Sequence, residues 1–76
     1  MSSMVFECKQ LLNDFGKSVR NIRKEKSISQ EELASLCDFD RTYISLIERG
    51  LRNPSLTTVF RIAYALEKHP SDLFVR

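Results

Sequence analysis

Several kinds of chemistry have little or nothing to work with in this chain of 76 residues. It holds a single histidine, His69, which borders Pro70 at an expected helix start, where capping or solvent exposure suits it better than metal binding or acid–base work. The two cysteines, Cys8 and Cys37, have neither the spacing of metal ligands nor the pattern of a disulfide framework. Cys37 falls on an apolar helical stripe and is expected to pack as a small apolar residue. No hydrophobic run is long enough to cross a bilayer and no signal peptide is visible, so a cytoplasmic location is expected and no membrane partner. Repeats, linkers and low-complexity stretches are lacking as well. No set of side chains makes a catalytic constellation, so no catalytic residue, metal or cofactor is assigned, and an enzyme is not expected. The paired acids Glu31 and Glu32 stand at a helix start, where their default work is capping and compensation of the helix dipole. Excess charge of one sign is scarce too: 12 Lys and Arg face 10 Asp and Glu, for a net +2, which by itself argues only weakly for a nucleic-acid partner.

What is present describes one small globular domain. A chain this short buries only about 60% of its unfolded surface, so its core is small and a partner subunit would help it. The hydrophobic fraction of 42% and charged fraction of 29% belong to a soluble protein. The basic residues are grouped, with Lys17, Arg20, Arg23, Lys24 and Lys26 in one segment and Arg41, Arg49 and Arg52 in another. Taken alone, the first group reads as a solvated helix face.

The stretch from Ser29 to Gly50 carries the most information. Ser29 followed three residues later by Glu32 makes a capping box, with Ile28 and Leu33 at staple spacing, so a helix begins at Gln30. Leu33, Ala34, Leu36 and Cys37 give it an apolar stripe, and Ala34 is small enough to admit a crossing helix. Asp38-Phe39-Asp40 then breaks the pattern. Asp40 is an N-cap for a second helix from Arg41 to about Arg49, with Ile44 and Ile47 facing inward and Gly50 closing it. Two helices joined by so short a turn, the second opening on Arg, Thr and Tyr, fit a helix-turn-helix.

Before this unit, Val5 to Lys26 is helical in pattern, with Val5, Leu12, Phe15, Val19 and Ile22 as apolar positions and Gly16 as a weak point. One helix and two helices broken near Asn13 to Gly16 both fit, and Met1 to Met4 are expected to fray. After Gly50, Leu51 to Pro54 is a loop and Ser55 caps a fourth helix. Leu56, Val59, Phe60, Ala63 and Leu66 form its expected core stripe, and it ends near Leu66 or Glu67. Pro70 opens a last short helix holding Asp72, Leu73 and Phe74.

With SQEELA, YISLIERG and NPS in this order, the chain resembles the Cro/C1-type (XRE) helix-turn-helix family over roughly Phe15 to Phe74, and DRTYISLIERGLRNPS is most similar to the controller proteins of restriction-modification systems. The resemblance implies an all-α, compact five-helix, lambda-repressor-like DNA-binding domain. Residues 1–14 would be an N-terminal extension and residues 29–50 the helix-turn-helix. It implies a transcriptional regulator that binds an inverted-repeat operator in double-stranded DNA as a homodimer. Asp38 stands where many members have glycine, and Glu67 and Lys68 where glycine and an apolar residue are common, which leaves room for a different join between the fourth and fifth helices.

A recognition helix enters the major groove with its N-terminal residues at base edges. Arg41 is the first candidate, because its guanidinium fork matches guanine O6 and N7. Thr42 and Ser45 offer hydroxyls to a base or a phosphate. Tyr43 can stack on sugar or donate to phosphate, or equally pack on its own domain. Gln30 resembles the family residue that touches the DNA backbone, and Arg49, Arg52 and Asn53 suit phosphates. Phe60 or Tyr64, with Leu73 and Phe74, make a candidate self-complementary patch for dimerisation. Glu31, Glu32 and Asp38 are candidates to touch RNA polymerase. Alternatives are another repressor or an antitoxin of the same family, or a protein-interaction module that has lost DNA binding.

Overall fold

The computed structural model describes residues 2–74, with side chains from Cys8 onward. Four α-helices follow one another: α1 (Ser2–Glu25), α2 (Gln30–Cys37), α3 (Arg41–Glu48) and α4 (Leu56–Ala65). A 3-10 helix, Pro70–Phe74, closes the sequence of elements. The architecture is all-helical among the described residues, and no described helix is long and apolar enough to cross a membrane. The expected fifth α-helix is this 3-10 helix of 5 residues, tightened by the bond from Asp72 N–H to His69 O at 2.8 Å.

α1 is one unbroken helix of 24 residues. It already begins at Ser2, so of the four residues expected to fray only Met1 lies outside the described ones. The Val5 side chain lies outside them too. α2 starts as its capping box dictates, with Ser29 Oγ accepting from Glu32 N–H at 3.0 Å and Glu32 Oε1 accepting from Ser29 N–H at 2.9 Å. α3 is capped by Asp40, and α4 by Ser55, whose Oγ accepts from Thr58 N–H at 3.1 Å.

All four helices stop in the same way. A residue in the left-handed region follows each of them: Ser27 (φ 58°), Asp38 (φ 60°), Gly50 (φ 73°) and Glu67 (φ 57°). Each end carries the paired reverse bonds of a Schellman motif, for example Phe39 N–H to Ala34 O at 2.8 Å and Lys68 N–H to Ala63 O at 2.9 Å. The join after α4 therefore keeps the geometry that glycine would give, although Glu67 has to supply it.

The core is formed by Phe15 and Val19 of α1, Leu33, Ala34 and Cys37 of α2, Ile44 and Ile47 of α3, Val59, Ile62 and Ala63 of α4, and Leu66 and Leu73 beyond it. α3 packs between α1 and α2, α4 lies against α2, and the 3-10 helix joins α4 back to α1. Three stripe positions depart from expectation. Leu36 faces solvent, and the buried arc of α4 is centred on Val59, Ile62, Ala63 and Leu66, so Leu56 and Phe60 fall just outside it. Three turns along one row, Leu56, Phe60 and Tyr64 are exposed instead.

Candidate nucleic-acid interface

α3 is amphipathic in the sense a recognition helix requires. Ile44 and Ile47 are fully packed inside, while Arg41 and Thr42 in its first turn are exposed and Ser45 and Leu46 are half-buried. Asp40 accepts from Thr42 N–H at 3.0 Å, which fixes the start of the helix. Arg49, Arg52 and Asn53 follow as exposed residues at its far end and in the next loop. Among the described residues Arg41, Arg49 and Arg52 take part in no ion pair, so these cations remain available to an external anion.

Tyr43 is placed differently from the exposed reading. It is half-buried, its ring meets Phe39 edge-on with centroids 5.1 Å apart, and its hydroxyl donates to Thr58 Oγ1 at 3.5 Å. The Arg61 guanidinium lies over the other partner of that pair, 5.4 Å from the Phe39 centroid. Tyr43 thus holds α3 against α4. Beside these residues, burial pushes the Cys37 thiol above its ordinary value of 9.0, with the Arg61 charge opposing.

Gln30 has the most unexpected surroundings. Its Nε2 donates to Glu48 Oε1 at 3.0 Å, and the same carboxylate is gripped by Arg23 through Nε to Oε2 at 2.7 Å and Nη2 to Oε1 at 3.0 Å. Arg23 spends its remaining arm on Ile28 O at 2.9 Å. The Arg23 and Glu48 side chains are only 10% and 2% exposed. Arg23 does not belong to the solvated basic group, because it sits at i+4 from Val19 and i+8 from Phe15 on the buried face of α1. Two signals in the sequence point to the pair: this register of Arg23, and an acid at the C-terminal end of α3, where the dipole disfavours it, four residues after Ile44. A buried pair is tolerable here since each oxygen and each Arg23 nitrogen is satisfied.

Of the residues expected to pair subunits, Leu73 is fully buried in the core of its own chain and leaves the patch. Phe74 is half exposed and stacks on Phe15 with centroids 5.3 Å apart. Phe60 and Tyr64 remain on the surface, packed edge to face at 5.9 Å.

A family model described as helix-turn-helix matches residues 19–73. The control protein C.BamHI of Bacillus amyloliquefaciens is 57% identical over 60 residues, covering 78% of this chain and 74% of that protein. Among solved structures, the restriction-modification controller protein C.AhdI from Aeromonas hydrophila superposes with a TM-score of 0.81 at 44% identity, over 83% of this chain and 96% of that one. The controller protein C.Esp1396I, solved as a tetramer in complex with its natural 35 base-pair operator, gives a TM-score of 0.78 at 39% identity, with 84% of each chain covered. The chain belongs to the helix-turn-helix family and, within it, to the restriction-modification controller proteins.

Proposed function

We propose that this chain, as a single domain, is a transcriptional regulator that binds operator DNA and controls a restriction-modification system. The observation that carries the reading is α3: its inner face is locked into the core by Ile44 and Ile47, and its first turn offers an exposed arginine and threonine. The likeness to C.Esp1396I, a controller protein solved in complex with its operator, supports a DNA-binding role for the shared fold. Arg41 reads a guanine edge, Thr42 and Ser45 meet bases or phosphates nearby, and Arg49, Arg52 and Asn53 hold the backbone. Tyr43, packed on Phe39 and bonded to Thr58, positions the helix. The compact five-element fold is used in the lambda-repressor manner, with a homodimer setting two recognition helices about 34 Å apart on an inverted repeat. The exposed Leu56, Phe60, Tyr64 row and Phe74 supply the apolar surface for that pairing. Regulation takes place in the cytoplasm, without catalysis.

Selection of duplexes from a random DNA pool at near-physiological salt tests this directly. Enrichment of an inverted repeat is the expected result. Retention of no particular sequence, with binding lost as salt rises, leaves only generic electrostatics and overturns it.

A further inference from the structure

We infer that Glu48, a buried acid that faces no DNA itself, is a positioning residue for the contact between Gln30 and the DNA backbone. The inference rests on the DNA-binding reading above. Gln30 is the first residue of α2 and is half-buried. A carboxamide can present either its oxygen or its NH2 group outward, and only the NH2 can donate to a phosphate oxygen. Glu48 decides between the two. As a carboxylate it accepts and cannot donate, so Gln30 must turn Nε2 toward it, and the structure shows this bond at 3.0 Å. One N–H is thereby consumed, and the second, on the same nitrogen, is left to point away from the carboxylate.

The carboxylate is itself immobile. Two bonds from Arg23 fix both of its oxygens, and Arg23 is fixed in turn by the Ile28 carbonyl in the loop that leads into α2. The chain of contacts therefore runs from α1 through the last residue of α3 to the first of α2. It places a donor beside the capped start of α2, where backbone N–H groups already favour an anion. Glu48→Gln keeps the shape but can donate as well as accept, so the Gln30 carboxamide is released to flip.

The test uses the duplex that the wild-type chain selects. Gln30→Ala weakens binding about tenfold on all sequences alike, as loss of one charge-assisted hydrogen bond does. Glu48→Gln weakens it by a similar factor, and the double variant is no worse than either single one. Neither changes the slope of affinity against salt, because no cation is lost. Multiplied losses in the double variant, about a hundredfold, would mean that Glu48 serves only the fold and would overturn the inference. A readout on the wild-type chain guards against a variant that does not fold: the Gln30 side-chain NH2 resonances shift as duplex is added. If they stay in place while α3 backbone signals move, the inference fails. A wild-type chain that selects no duplex removes the DNA reading itself, and this inference with it.

Discussion

Gly16 on α1 stands so close to Ile47 at the end of α3 that a β-carbon built on it would lie 2.5 Å from the Ile47 carbonyl oxygen and 2.6 Å from that of Glu48. Both obstacles are backbone, which cannot swing aside. Gly16→Ala gains up to about 1 kcal/mol of helix propensity, yet it must push α1 off α3. We expect a net loss of about 1 to 3 kcal/mol, as for overpacking of a tight contact, seen as a lower urea midpoint. An unchanged or higher midpoint would show that the two helices can separate freely.

The Arg23–Glu48 pair predicts an asymmetry between single and double substitutions. Arg23→Met or Glu48→Leu alone strands a charge in the interior and should cost about 3 to 5 kcal/mol. Combined, they should recover most of that loss, since no unpaired charge remains. Thermal unfolding of the three variants checks this, and additive losses would contradict it.

Three left-handed helix ends lack glycine. A side chain in this region costs about 1 kcal/mol or somewhat more, least for Asp and Asn. Glu67→Gly and Ser27→Gly should therefore each stabilise by about 0.5 to 1 kcal/mol after the entropy of the freer unfolded chain is deducted. Asp38→Gly should gain less. Denaturant titration would reveal the order.

Cys37 makes stability depend on alkaline pH. Its folded pKa is raised above the ordinary 9.0, chiefly by burial, so the unfolded chain ionises first. Its contribution is complete below that value and declines as pH climbs through 9.0 toward the folded pKa. Cys37→Ala should flatten this part of the stability–pH curve, and the exposed Cys8 should react with a thiol reagent long before Cys37 does.

Base and phosphate contacts separate by their salt behaviour. Arg41→Ala should relax base preference at one position of the selected operator, by about 1 to 3 kcal/mol of discrimination. Arg49→Ala should weaken all sequences alike and lower the salt slope by about one. An equal loss on every sequence from Arg41→Ala would move Arg41 to the phosphate class.

The capping residues made the helix starts legible: Ser29, Asp40 and Ser55 each accept the N–H that their position in the sequence demands. The helix-turn-helix and its exposed arginines were readable for the same local reason. What escaped were matters of facing. Leu56, Phe60 and Leu36 share their helices' apolar spacing, but which part of a wide apolar arc meets the core depends on where the neighbouring helices lie. Arg23 and Glu48 are separated by 25 residues, and charged side chains at such a distance betray each other only through odd placement. Leu73 looked like surplus apolar surface because the 3-10 turn that tucks it inward has no periodicity to read.

The helices and the terminal turn also form a closed circuit: α1 touches α3, α3 touches α2, α2 touches α4, α4 touches the 3-10 helix, and that helix returns to α1. A ring of this kind has a clasp, and here the clasp is five residues long. Leu73 and Phe74 hook the last element to the rod of α1, so a chain cut before Pro70 would keep every helix-forming signal and still lose the loop of mutual support. The scaffold that aims α3 is thereby fastened where the last element meets the first, away from the helix it aims.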